Sequence, residues 1–277
     1  MHETLKMFVR QTPVIREIAL FLLRAKIAFM YLVRPAKELI VWLFQSKEFT
    51  NFTYDLSDLN KRYLISLIAS IMGRSFQEIA IYIAEVENDL ALRTHIEAAI
   101  KVSDERFFAD VDVHYGRRLG WYALVRVAKP RIVVETGIDK GLGSCVLTSA
   151  LIKNAQEGFL GHYYGTDINP SAGYLLSGIY GDYGEILYGD SIKSLERLNE
   201  TIDLFINDSD HSADYEEKEY ETIANKLGSN AIVISDNSHY TDKLLDFALA
   251  TNRRFVFFQE KPLKHWYPGA GIGIAFR

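Results

Sequence analysis

One cysteine, six prolines and no uncharged stretch of membrane-spanning length mark this 277-residue sequence by what it leaves out. The lone cysteine, Cys145, excludes an internal disulfide and fits a reducing compartment. The longest uncharged runs of the apolar N-terminal arm are Ile18–Leu23, Ile27–Val33 and Leu39–Ser46. Each falls far short of the roughly 20 residues that a membrane span requires. No small-residue cleavage site follows an apolar core, so a signal peptide is not expected and a cytoplasmic protein is. Disorder needs low hydrophobicity, which a content of 48% hydrophobic residues excludes. Positive charge is also short: the net charge is −5, although residues 1–47 carry eight Lys/Arg against three Asp/Glu. The remaining body is therefore acidic, which argues against nucleic-acid binding.

The first hundred residues read as helical. Thr12 and Pro13 suit an N-cap and a first helical position. Ile15, Ile18, Leu22, Ala25, Phe29 and Leu32 then recur at spacings of three and four. Pro35 is expected to end or kink that helix, with another starting over Lys37–Phe44. A helix over Asp58–Met72 should stop at Gly73, and Ser75-Phe76-Gln77-Glu78 is a capping box for the next. The expected division is a helical region over 1–105 and a second domain over 106–277.

From Arg131 the texture changes. Buried strands are expected at Arg131–Glu135, His162–Thr166, Glu185–Tyr188, Ile202–Asn207 and Ala231–Ser235. Helices are expected at Ser144–Asn154, Ser171–Tyr180, Asp214–Leu227 and Thr241–Thr251. This alternation predicts an α/β fold, a mostly parallel, doubly wound sheet covered on both faces. Two final strands, Arg254–Gln259 and Gly271–Phe276, have no helix between them. A hairpin joins such strands, so the seventh and last strand should be antiparallel.

The most informative segment is Val133-Val134-Glu135-Thr136-Gly137-Ile138-Asp139-Lys140-Gly141-Leu142-Gly143-Ser144, a strand, a glycine-rich turn and a helix start. Glycines let the backbone approach a ligand and take positive φ, and the helix N-terminus offers free N–H groups. In a doubly wound sheet, ligands bind outside the carboxyl ends of the strands. The spacing E-x-G-x-x-x-G-x-G departs from the G-x-G-x-x-G of dinucleotide enzymes, which counts against a nicotinamide oxidoreductase. It resembles the class I S-adenosylmethionine-dependent methyltransferases. That resemblance implies a Rossmann-like domain and a loop, with Glu135, Gly137, Gly141, Gly143 and Ser144, around the methionine and ribose portion of the cofactor. It implies that Asp167, followed by Ile168, pairs with the ribose hydroxyls, a task that suits a carboxylate. It also implies that Gly189-Asp190-Ser191 is the turn beside the adenine.

Strands four and five end in Ile206-Asn207-Asp208-Ser209-Asp210-His211 and Ile234-Ser235-Asp236-Asn237. Neighbouring parallel strands bring Asp208, Asp236 and Asn237 together beside the cofactor, an oxygen-only set that suits Mg²⁺ or another divalent cation. This pattern resembles the metal-dependent small-molecule and sugar O-methyltransferases over about residues 115–277. The resemblance implies that these three residues hold a metal, which positions a substrate hydroxyl for attack on the sulfonium methyl. Where the catechol type has a lysine general base, this sequence has His211, which can accept a proton at neutral pH. Sugar-modifying relatives favour Asp-x-x-His there, which favours an aliphatic or sugar hydroxyl as acceptor.

Other residues have plainer readings. Asp210 and Asp214 suit helix capping, and Cys145 suits packing behind the glycine loop. His239, His265 and Trp266 are weaker candidates, and His265–Gly269 is either an acceptor-pocket lining or an ordinary aromatic loop. His114-Tyr115-Gly116-Arg117 falls where relatives have a segment closing over the cofactor. Three other functions remain compatible with the pattern: a metal-free methyltransferase, a hydroxylase-like protein and a non-catalytic cofactor-binding protein. The basic apolar arm is expected to form a protein interface, as in a homo-oligomer, with peripheral membrane contact as the alternative.

Overall fold

A computed structural model describes residues 13–277. Thr12, the expected first cap, lies outside the described residues. The chain divides into two compact units: the part up to Ser46 with Lys264–Tyr267, and Lys47–Leu263 with Pro268–Arg277.

In the first unit, α1 (Pro13–Gln45) is one helix of 33 residues with no buried residue. It continues through Pro35, so the second helix expected from Lys37 is part of the first. A proline removes one i→i−4 bond, which a helix of this length sustains through its other bonds. Trp42 meets the rings of His265 and Trp266 edge-on, with centroids 6.3 and 5.3 Å apart. Among the described residues no helix is long and apolar enough to cross a membrane.

The second unit opens with α2 (Asp58–Met72), α3 (Phe76–Glu87) and α4 (Leu90–Val102). Gly73 closes α2 at φ 60°, and the Ser75 side chain accepts from the Glu78 N–H, as the sequence predicts. Next come α5 (Arg118–Ala128), β1 (Ile132–Thr136), α6 (Leu142–Gln156), β2 (His162–Asp167), β3 (Gly184–Tyr188) and α7 (Ser191–Arg197). The chain ends with β4 (Ile202–Asn207), α8 (Ala213–Ile223), β5 (Leu227–Ser235), α9 (Lys243–Ala250), β6 (Arg254–Gln259) and β7 (Gly271–Phe276).

The seven strands lie in the order β3-β2-β1-β4-β5-β7-β6. The first five are parallel, and β7 runs antiparallel to both β5 and β6. This is a Rossmann-like α/β arrangement, with helices flanking the sheet and the last strand antiparallel. One face packs Val134, Phe205, Val233 and Ala275 against Leu195, Tyr220, Ile223, Leu244 and Ala248 of α7, α8 and α9. By the two-residue period of a strand, Val133, Leu204 and Ile234 turn to the other face.

One further expectation over helices needs correction. Ser171–Tyr180 is not an α-helix but a run of turns leading into a 3₁₀ segment at Gly178–Tyr183. Gly173 and Gly178 sit at φ 74° and 55°, a hand that a right-handed helix does not contain. The Gly173 N–H is bonded instead to the Asp139 carbonyl at 2.7 Å. In contrast, α5 has no end signals in its sequence: no side chain caps its start, and Lys129 in place of a glycine takes the left-handed position at its end.

Candidate active site

The carboxyl ends of β1, β4 and β5 lie side by side, because Thr136 pairs with Asn207 and Asn207 with Ser235. At each end two consecutive polar residues turn to opposite faces of the sheet, as strand alternation requires. Thr136, Asn207 and Ser235 face α8; Glu135, Asp208 and Asp236 lie on the face of α5 and α6.

On the α8 face, two buried glutamates tie the strand ends together. Glu219 accepts from Thr136 Oγ1 at 2.9 Å, Ser209 Oγ at 2.8 Å, Asn207 Nδ2 and Ser191 Oγ. Burial pushes its carboxyl above the usual range, and these four donors pull it back. Glu216 accepts from Ser235 Oγ at 2.7 Å, Tyr220 Oη at 2.5 Å and Thr241 Oγ1. Sequence reasoning missed both glutamates. Their only signal is acidic residues on an otherwise solvated helix.

The cofactor half of the site starts at Gly137, with φ 74°, whose N–H donates to the Thr166 carbonyl at 2.8 Å. A Cβ there would overlap the backbone of Asp208, so only glycine allows the loops after β1 and β4 to touch. Gly141 caps α6 at φ 91°, and a side chain at Gly143 would collide with Glu135 and Trp121. Glu135 is buried beneath that helix start and accepts from Tyr163 Oη at 2.5 Å and, at 3.4 Å, from Ser144 Oγ. Burial pushes its carboxyl up to about 7. Asp167, at the end of β2, accepts from the Asp139 N–H at 3.0 Å and the Asn169 N–H at 2.8 Å. The side chain of Ile168 is exposed.

The third turn is committed to structure. Asp190 caps α7 through the Lys193 N–H at 3.0 Å, and Ser191 is buried against Glu219 and, at 2.9 Å, Tyr215 Oη. Gly189, at φ 123°, has nothing within 4 Å of a would-be Cβ, so open space lies beside that backbone. A cavity of about 130 Å³ adjoins the cofactor loop, lined by Asp139, Lys140, Asn169 and Tyr174 with Phe49 and Phe108. Lys140 Nζ stands 3.7 Å from Glu48 Oε1, which ties the segment after α1 to that loop.

The reaction half holds the expected set, with an addition. Arg117, just before α5, forms a two-pronged ion pair with both oxygens of Asp236. Its Nη2 is 3.9 Å from Asp208 Oδ2 and its Nη1 is 3.8 Å from Glu260 Oε1. Burial opposes its charge, but Asp236, Glu260 and Asp208 together hold its proton more tightly than water does. Asp208 is raised well above an ordinary aspartate by burial and then by the Asp236 charge. Asn237 Nδ2 donates to Asn207 Oδ1 at 3.2 Å, while its own Oδ1 is buried without a partner. Among the described residues no group of three or more His, Cys, Asp or Glu forms a metal-holding cluster. Arg117 was noted in the sequence only as part of a closing segment. Asp236 lies 119 residues further along.

The histidines also divide. His211 is exposed on the loop after β4, with its ring edge-on to Tyr240 at 6.4 Å. His239, the weaker candidate in the sequence, has its ring tilted against that of Tyr240 at 4.0 Å, and its Nδ1 is 3.3 Å from the Gly271 carbonyl. Burial lowers its pKa from 6.5, with Asp236 acting in the opposite direction. Asp210 accepts from the Ser212 N–H at 2.7 Å just before α8, and Cys145 is buried with Sγ 3.2 Å from the Leu175 carbonyl. Cys145 matches its packing reading, whereas the N-cap of α8 is Ser212, so Asp210 closes a turn ahead of the helix instead of capping it and Asp214 lies in its first turn.

Comparison with known proteins gives one family and several solved structures. Residues 134–238 match the family model of a methyltransferase domain. No curated protein matches the chain in sequence. Among solved structures, the O-methyltransferase TomG of Streptomyces achromogenes, involved in tomaymycin synthesis and in complex with SAM, is 16% identical with a TM-score of 0.49, over 68% of this chain and 90% of that one. The O-methyltransferase of Bacillus cereus in complex with SAH is 14% identical with a TM-score of 0.47, over 72% and 97% of the two chains. A methyltransferase of Geobacter sulfurreducens is 22% identical with a TM-score of 0.46, over 66% and 88%.

Proposed function

We propose that this chain, whose residues 134–238 match the family model of a methyltransferase domain, moves a methyl group from S-adenosylmethionine to a hydroxyl of a small molecule or sugar. The observation that carries this reading is the glycine cradle after β1 beside Asp167. Gly137, Gly141 and Gly143 let the loop close tightly against Asp208, Gly173 and Glu135, and α6 presents its first N–H groups there. Asp167 keeps carboxylate lone pairs beyond its two backbone bonds, enough to accept from a pair of ribose hydroxyls.

S-adenosylmethionine supplies an electrophilic methyl on a sulfonium. The acceptor oxygen forms its bond to that carbon as the carbon–sulfur bond breaks, and the hydroxyl proton leaves to a base. Most of the rate in such a displacement comes from holding oxygen and methyl in line. Asp208, whose backbone touches Gly137, joins the cofactor loop to the carboxylates of the reaction half. As proton acceptor we assign His239 over the His211 of the spacing argument. With Nδ1–H directed at the Gly271 carbonyl, Nε2 is the basic nitrogen, and a lowered pKa keeps the ring neutral at pH 7.

The divalent ion is a separate question. Two carboxylates and the unpartnered Oδ1 of Asn237 are the right donor types. Their arrangement does not fit, since the guanidinium of Arg117 already takes both oxygens of Asp236. The reaction is therefore assigned no metal.

Transfer of a labelled methyl from S-adenosylmethionine tests the reading. A panel of phenolic, polyketide and sugar hydroxyls should yield at least one labelled ether and S-adenosylhomocysteine. Label appearing on nitrogen or carbon acceptors alone would overturn the hydroxyl assignment.

A further inference from the structure

We propose that Arg117 is a resident cation of the reaction site, standing where the sequence pattern calls for a divalent ion and making that ion unnecessary. The inference rests on the methyltransferase reading above, and it concerns only how the reaction half is charged.

Three carboxylates converge on this one guanidinium: Asp236 through both oxygens, Asp208 at 3.9 Å and Glu260 at 3.8 Å. They come from the ends of β4 and β5 and from just past β6, and all are largely withdrawn from water. The exposures of the Arg117, Asp208, Asp236 and Glu260 side chains are 12%, 14%, 5% and 0%. Buried carboxylates at this spacing repel one another unless a cation sits among them. In a metal enzyme of this pattern the ion supplies that charge. Here a group that is never deprotonated supplies it from within the chain.

The chain also fixes the guanidinium in place. Gly116, at φ 51°, makes the turn into α5, and a Cβ there would press to 3.1 Å on the Tyr54 carbonyl. Arg117 then lies over the ring of buried Trp121, 5.8 Å from guanidinium carbon to centroid. Its planar fork matches the two oxygens of Asp236, which a lysine's point charge would not do. A divalent ion entering between Asp208 and Asp236 would meet this charge at close range and would have to expel it from its three partners. Arg117 is thus a positioning residue. It holds Asp208 and Asp236 in register beside the cofactor loop, with its Nη2 3.9 Å from Asp208 Oδ2.

The test is Mn²⁺ binding to the full-length protein, followed by electron paramagnetic resonance of the free ion, with S-adenosylhomocysteine present. The unmodified chain is expected to bind no Mn²⁺ up to millimolar concentration. Arg117→Ala vacates the space between Asp208, Asp236 and Asn237, and should bind one Mn²⁺ at least tenfold more tightly. Asp236→Asn in that background should remove the gain. A purely structural arginine would not create a metal site on removal. One equivalent of Mn²⁺ on the unmodified chain, lost in Asp208→Asn, would overturn the proposal, as would a folded Arg117→Ala chain that gains none. If Arg117→Ala does not fold, the measurement on the unmodified chain still decides. Failure of the methyltransferase reading would appear separately, as no stabilisation by S-adenosylhomocysteine.

Discussion

The two halves of this site are built on different length scales. The cofactor half is local: Glu135, Gly137, Gly141, Gly143 and Ser144 lie within ten residues, and Asp167 is on the next strand of the sheet. The reaction half is assembled from Arg117, Asp208, Asp236, His239 and Glu260, drawn from four separated stretches of chain. A local motif shows its geometry in its spacing. A long-range cluster shows only its residue types, and its charge balance appears when the chain has folded.

Asp236→Ala should separate the halves most sharply. It strips Arg117 of its two-pronged partner and leaves the buried guanidinium only the more distant Asp208 and Glu260, a loss of about 3 kcal/mol. Thermal unfolding should fall by on the order of 10 °C, and methyl transfer should vanish. A variant with unchanged melting temperature would mean that the ion pair does not hold the reaction half together.

Asp167→Ala is the counterpart in the cofactor half. Its carboxylate bonds only to two backbone N–H groups in the described structure. S-adenosylhomocysteine should therefore stop raising the melting temperature, while the unliganded chain keeps most of its own stability. Undiminished stabilisation in this variant would move the ribose contact elsewhere.

A third comparison lies within the reaction half. His239→Ala should slow turnover by roughly 10²–10⁴-fold, the scale of a lost general base, and His211→Ala should change it little. Because burial lowers the His239 pKa, the acid limb of the rate profile should sit below pH 6.5 and disappear in His239→Ala. The reverse ranking would return the role to His211.

The smallest effect expected is on stability against pH. Glu135 rises to about 7, and Asp208, Glu219 and Glu260 are also raised, each chiefly by burial. A carboxyl with a raised folded-state pKa takes up its proton on folding, so its contribution to stability is lost as pH rises. For Glu135 the window runs from the ordinary 4.5 to about 7. The melting temperature should rise by a few degrees between pH 7 and 6, and Glu135→Gln should flatten the slope. A profile that climbs toward pH 8 would contradict it.

These contrasts also explain what was legible in the sequence. The capping box at Ser75, the stop at Gly73, all seven strands and the antiparallel last strand are written in local signals that packing did not override. The turn after β2 was misread as a helix because its apolar residues outweighed Gly173 and Gly178. Helix α5 carries neither a side-chain N-cap nor a glycine stop, so neither it nor the approach of Arg117 is signalled locally. Asp208, Asp236 and Asn237 were identified as a set from strand order alone. What they surround was not, since no spacing rule connects Arg117 to a residue 119 positions away. The α8 glutamates belong to the same class, acidic residues whose partners lie on four other elements, β1, β4, β5 and α7, and on loops.

The central claim is that the loop after β1 and Asp167 form a site for an adenosyl sulfonium and not for a dinucleotide. Calorimetric titration of the full-length chain with S-adenosylhomocysteine and with NADH tests this most directly. The account predicts one S-adenosylhomocysteine per chain with micromolar-range affinity and no heat from NADH. Saturable binding of NADH with none of S-adenosylhomocysteine would contradict it.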